Sequence, residues 1–136
     1  MIVALDREAL SALAGPASVR KQRVRRVLAA AARLRRDVRV PAVVLAELYR
    51  GAGRNQLVDA CLARERPGLD VMPTDRPLAR LVGGVLTAAG ADRRNLVDAH
   101  VVALCVAAGG GIALTGDVDD LGRLAAPFPM VVVEAI

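Results

Sequence analysis

Four carboxylates interrupt apolar stretches of this chain. Asp6 closes Ile2-Val3-Ala4-Leu5, and Glu47 breaks Val43-Val44-Leu45-Ala46-Glu47-Leu48. Asp98 lies inside the run from Leu96 to Leu104, and Asp117 follows Ile112-Ala113-Leu114-Thr115-Gly116. A lone carboxylate on an apolar face costs several kcal/mol or neutralises itself by taking a proton. Four of them in successive parts of one small fold point to a shared solution, and a divalent cation is the simplest. Mg²⁺ prefers octahedral oxygen ligation at about 2.0–2.1 Å, and Mn²⁺ accepts similar donors. Such an ion orients or deprotonates a water and neutralises charge on a scissile phosphate, so the expected chemistry is phosphodiester hydrolysis. Each acid also has an ordinary alternative role. Asp6 and Asp117 could cap the helices that follow them, Asp98 could be a first-turn acid favoured by the helix dipole, and Glu47 could pair with Arg50.

Composition narrows the choices. His100 is the only histidine, which excludes a mechanism built on paired histidines, and no Cys/His cluster has zinc spacing. Cys61 and Cys105 lie in apolar, helix-like stretches and read as small buried hydrophobes. Hydrophobic residues make up 54% and aromatics only 1%, so the expected core is aliphatic and recognition by base stacking is disfavoured. The formal net charge is +5, from 19 basic and 14 acidic residues. With the four acids gathered inward the remaining surface is more basic still, which favours a polyanionic partner. No stretch reaches the roughly 18 apolar residues that span a bilayer, and no basic leader precedes an apolar stretch. A soluble cytoplasmic protein is the expectation.

The elements that must position the acids alternate along the chain. Residues 2–5 read as a buried strand and 7–14 as a short helix stopped by Gly15-Pro16. A basic amphipathic helix capped by Ser18 runs to Arg36. Val38-Arg39-Val40 is a strand, and Pro41 suits the first turn of a helix to about Arg50, ending at Gly51. Further helices are expected over 54–65, from a Thr74 cap to Gly90, from an Asn95 cap to Ala108, and over 119–125. Strands are expected over 69–72, 112–114 and 130–133, with Gly109-Gly110-Gly111 as a helix stop. Short strands alternating with helices predict parallel pairing through crossover helices, hence a three-layer α/β/α sandwich in a single domain spanning residues 1–136. Open parallel sheets place their sites beyond the carboxyl ends of the strands. If the strands at 2–5 and 112–114 are neighbours, Asp6 and Asp117 emerge at one edge, where two helices could aim Glu47 and Asp98.

In that order, strand-Asp, Val-Leu-Ala-Glu-Leu-Tyr-Arg-Gly, Asp-Ala-His-Val-Val-Ala-Leu and Leu-Thr-Gly-Asp-Val-Asp-Asp-Leu, the chain resembles the PIN-domain ribonucleases, and within them the VapC-type toxins of bacterial toxin–antitoxin pairs. The resemblance covers residues 2 to about 133. It implies a parallel sheet flanked by helices and a Mg²⁺- or Mn²⁺-dependent endoribonuclease. It implies an acidic site of Asp6, Glu47, Asp98 and Asp117, with Asp6, Asp98 and Asp117 as metal ligands. Thr115 would support the site through its hydroxyl, with Asp119 or Asp120 nearby. It further implies a homodimer held inactive by a cognate antitoxin, acting on tRNA or rRNA. A PIN-like module that binds RNA or protein without catalysis is the alternative.

The chain departs from the family pattern twice. Arg7-Glu8 stands where relatives often carry small or hydroxylated residues, and Gly116 where Ser or Asn is frequent; Glu8 reads as a solvated helix residue, with an extra acid near the metal as the alternative. Arg50, Arg54, Arg93 and Arg94 flank the acidic motifs and are the candidate phosphate contacts, whereas the basic segment 20–36 reads as a solvated face, with an RNA-contacting rim as the alternative. His100 is expected to be packed or hydrogen-bonded. A phospho-accepting receiver domain also clusters acids at strand ends but needs a lysine after a late strand, and the only lysine here is Lys21.

Overall fold

The computed structural model describes all residues 1–136. Five parallel strands form one sheet: β1 (Ile2–Leu5), β2 (Val38–Pro41), β3 (Leu69–Met72), β4 (Gly111–Thr115) and β5 (Val131–Ala135), in the order β3-β2-β1-β4-β5. The helices are α1 (Arg7–Ala14), α2 (Val19–Arg33), α3 (Ala42–Leu48), α4 (Ala52–Arg64), α5 (Arg76–Ala88), α6 (Leu96–Ala107) and α7 (Val118–Ala125), with a 3₁₀ turn at Arg93–Asn95. This is the α/β/α sandwich expected from the alternation of elements. Helix α6 packs across β1, β2, β4 and β5 beside α5 and α7, while α1 and α2 pack on β1. A central strand in such a sheet is covered on both faces, which is why all four residues of β1 are apolar and buried.

The core comprises 33 buried residues, nearly all aliphatic; Tyr49 and Phe128 only pack against its margin. Cys61 and Cys105 are buried and unpaired, and burial pushes the Cys105 thiol up to about 12. Helix α6 is apolar around most of its circumference, with Ala99 to Cys105 buried, so it acts as the central pillar. His100 lies within it, and its Nδ1 meets the Leu96 carbonyl at 2.7 Å.

Several element ends differ from expectation. The helix after Pro41 ends at Leu48 rather than near Arg50, because the chain turns through extended Tyr49 and Gly51 at φ 102°. Helix α4 begins at Ala52 and ends at Arg64. Asp75, not Thr74, caps α5, its carboxylate accepting the Leu78 N–H at 2.9 Å. Asn95 makes no side-chain cap of α6; Asp92 instead caps the preceding 3₁₀ turn. Gly111 already belongs to β4, where an added Cβ would crowd Ile2 and the Cys105 sulfur. The last strand starts at Val131 and runs to Ala135.

Candidate active site

The order of the strands sets the position of the site. From β1 the chain moves outward to β2 and β3, then returns to the other side of β1 with β4. The direction of winding therefore reverses between β1 and β4, and ligands of open α/β sheets bind at such a point beyond the strand ends. Leu5 pairs with Leu114 in register, and the Asp6 N–H donates to the Leu114 carbonyl at 3.1 Å. Asp6 and the Thr115-Gly116-Asp117 segment thus leave the sheet side by side.

Asp6 is 95% shielded from solvent, its residual exposure being 5%. It caps α1, accepting the Ala9 N–H at 2.7 Å. Burial raises its carboxyl above the ordinary value; the Thr115 hydroxyl and the Ala9 N–H oppose that rise, and the Glu8 charge adds to it. The Thr115 hydroxyl also accepts the Asp117 N–H at 2.8 Å, so the residue beside Asp6 fixes the turn that leaves β4. Asp98 is half-buried in the first turn of α6. Burial first, then the charges of Asp6, Glu47 and Asp120, push its carboxyl up to about 6, against a smaller opposing effect of Arg7. Acids from the cap of α1, from α3 and from α7 therefore act on Asp98 of α6 at this edge.

Asp117 is placed differently from the other three expected acids. It is exposed, caps α7 by accepting the Asp120 N–H at 3.0 Å, and does not line the cavity beside Asp98. Asp120, one turn further on, takes that place and is ion-paired with Arg123. Asp119 is exposed. Glu47 is half-exposed and pairs with Arg7 at 3.2 Å rather than with Arg50. Arg50 instead donates to the Ala46 and Tyr49 carbonyls, at 2.6 and 2.7 Å, closing the end of α3. Arg54 likewise donates to the Leu48 carbonyl at 3.1 Å, and Arg94 grips Asp92. Arg93 is exposed. Three of the four candidate phosphate contacts thus serve the local backbone or a neighbouring acid. Lys21 donates to the Gly15 carbonyl at 2.7 Å, which removes the remaining basis for a receiver-domain reading.

Arg7 and Glu8 were the residues least legible beforehand. Glu8 is not a freely solvated helix residue. It pairs with Arg7 and Arg20, both at 3.5 Å, and its carboxylate lies over the bare Cα of Gly116. The sequence signal was the two departures from pattern occurring together.

Beside Asp98 and Asp120 an open cavity of about 480 Å³ continues the site, with Arg94, Asn95, Arg123 and Leu124 on its walls. The donors of the site are carboxylate oxygens, the chemistry a hard divalent ion selects. As placed, no three of them converge closely enough to enclose one ion.

A family profile described as PIN domain matches residues 3–127. The chain belongs to the PIN-domain family. The match bears out the resemblance seen in the acidic motifs at the level of the family. No curated protein matches the chain. Among solved structures it is similar to the crystal structure of VapBC2 from Rickettsia felis bound to a DNA fragment from their promoter. That likeness has 16% identity, a TM-score of 0.65, and covers 99% of this chain and 98% of the other. At that identity the likeness concerns the fold: the sheet order and flanking helices described above. No helix of this PIN domain is long and apolar enough to cross a membrane.

Proposed function

We propose that this PIN domain is a Mg²⁺- or Mn²⁺-dependent endoribonuclease and the toxin of a type II toxin–antitoxin pair. The observation that carries the nuclease reading is the crowding of Asp6, Glu47 and Asp120 around Asp98 at the point where the winding of the sheet reverses. Like charges raise one another's affinity for protons, and a bound cation would reverse that effect. Asp6, Asp98 and Asp120, with Glu47, are the residues that would hold the ion. Asp117 would serve by fixing the first turn of α7, which carries Asp120. The ion, when bound, supplies Lewis-acid polarisation of the scissile phosphate and a more acidic water.

The chain's own residues then have separate tasks. The Ala9 N–H holds the Asp6 carboxylate, and the Thr115 hydroxyl beside it favours the charged form. Asp98, with a carboxyl near 6, keeps its proton in part of the population near neutrality and must shed it to become an oxygen ligand. Arg94 and Arg123, on the wall of the cavity beside Asp98, supply positive charge toward a polyanionic strand. The toxin reading is supported by the VapC-like order of the acidic motifs and by a fold shared with a protein of a VapBC complex. It brings with it an antitoxin partner, a homodimer and tRNA or rRNA as substrate, in the cytoplasm.

A second reading, a PIN-like module that binds without catalysis, is favoured by the absence of a converged three-carboxylate set. Sequencing of RNA ends after induced expression separates the two. Discrete new 5′ ends that depend on divalent metal and vanish in Asp6→Asn and Asp98→Asn support the nuclease. Cleavage that persists without metal and in both variants overturns it, and unchanged RNA favours the binding module.

A further inference from the structure

Arg7 is a cation built into the acidic edge. It follows Asp6 directly, and its Nε lies 3.2 Å from a Glu47 carboxylate oxygen. Its guanidinium also reaches Glu8 at 3.5 Å, and Glu8 in turn reaches Arg20 at 3.5 Å. The four side chains form an alternating chain, Glu47–Arg7–Glu8–Arg20, that runs from the site out to α2. Its third member, Glu8, depends on the far side of the site. A Cβ at Gly116 would overlap the Glu8 carboxyl group and come within 3.0 Å of the Glu8 Cβ. Gly116 follows Thr115, whose hydroxyl favours the charged form of Asp6. The two places where this chain leaves the family pattern, Arg7-Glu8 and Gly116, therefore meet, and the glycine makes room for Glu8.

We propose that Arg7 is an internal counter-cation that competes with the divalent ion for the acidic edge, and that Glu8, seated over Gly116, anchors it there. The proposal rests on the metal-dependent reading of the site given above. A guanidinium on Glu47 occupies one carboxylate with a monovalent charge. Binding of a divalent ion requires Arg7 to release Glu47 and to tolerate a second cation nearby. Arg7 and Glu47 are both partly exposed, with side-chain exposures of 49% and 37%, so solvent weakens the pair and the competition is graded rather than absolute. The consequence is a raised threshold of metal concentration for occupancy of the site. Release of Arg7 would also free a positive side chain for a substrate phosphate.

Calorimetric titration of the full chain with MnCl₂ tests this without recourse to activity. Arg7→Gln, which removes the charge at an exposed position, is expected to bind Mn²⁺ about three- to tenfold more tightly than the parent. Gly116→Ser, which displaces Glu8, is expected to tighten binding by a smaller factor, and to have no further effect in the Arg7→Gln background. Circular dichroism of each variant establishes that it is folded. Equal Mn²⁺ affinity in the parent and Arg7→Gln overturns this proposal while leaving the metal-dependent reading standing. An effect of Gly116→Ser that is the same in both backgrounds overturns the anchoring role of Glu8. Failure of both the parent and Arg7→Gln to bind Mn²⁺ overturns the proposal together with the metal-dependent reading.

Discussion

Asp6 and Asp98 form the inner part of the acidic edge, and Glu8 and Glu47 the outer part. The inner pair is buried or half-buried, has no basic partner, and is held by a helix cap, a hydroxyl and its place in the first turn of α6. The outer pair is more exposed and is laced together by Arg7 and Arg20. Both parts face the same problem, negative charge gathered at one edge of a sheet. Inside, where no arginine pairs with them, the acids accommodate it by holding protons more tightly. Outside, where long side chains can bend in from solvent, the charge is neutralised by ion pairs. On the metal-dependent reading proposed above, the inner acids stay uncommitted for the cation, whereas the outer ones would set how readily it enters.

The largest effect expected from breaking this contrast is on the inner pair. Asp98→Asn should lower metal-dependent RNA cleavage by about 100-fold or more, measured on a fixed RNA at saturating Mn²⁺. Activity within a few-fold of the parent would remove Asp98 from the machinery. The same substitution should alter the pH dependence of stability. The folded-state value of Asp98 is about 6 against an ordinary 3.8. Its contribution is therefore fully present below about pH 4 and is lost as the pH rises through 6. The metal-free protein should accordingly melt at a higher temperature near pH 5 than near pH 7.5, and Asp98→Asn should flatten that difference. A parent whose melting temperature falls no more between pH 5 and pH 7.5 than that of Asp98→Asn would contradict the assignment.

Asp6 sharpens the contrast by separating charge from capping. Asp6→Ala should cost about 1 kcal/mol in denaturant unfolding through loss of the α1 cap. Asp6→Asn keeps a capping oxygen and removes the buried charge, so it should cost less, while both abolish cleavage. Equal destabilisation by the two would show that the charge, and not the cap, supports the fold. On the outer part the effects should be smaller. Gly116→Ser should destabilise by about 0.5–1 kcal/mol by crowding Glu8, and the penalty should shrink in a Glu8→Ala background. The smallest effect is expected at Arg93: Arg93→Ala should leave the melting temperature unchanged and weaken RNA binding only slightly, with a shallower salt dependence.

Much of this molecule was legible in one dimension. The run Ile2–Leu5 with Asp6 behind it, and Ile112–Leu114 with Thr115 behind it, could only be buried strands ending in polar residues. Alternating strands and helices then required a parallel sheet, because parallel neighbours need crossovers. Helix ends were less legible. Thr74 and Asp75 are adjacent cap formers, and only the backbone conformation decides between them. The same ambiguity governed the last acidic motif: Asp117, Asp119 and Asp120 lie within one turn, and the angle at which α7 leaves β4 determines which faces Asp98.

By itself the sequence determined the aliphatic core, the strand–helix alternation and the presence of acids that a core would not tolerate singly, since these follow from local composition and period. Tertiary structure alone decided that Asp120 rather than Asp117 lines one cavity with Asp98, that Glu47 meets Arg7 rather than Arg50, and that Glu8 fills the space Gly116 leaves. Each of these is a meeting of side chains from different elements, and the distances involved are set by how helices sit on the sheet, which no local pattern encodes.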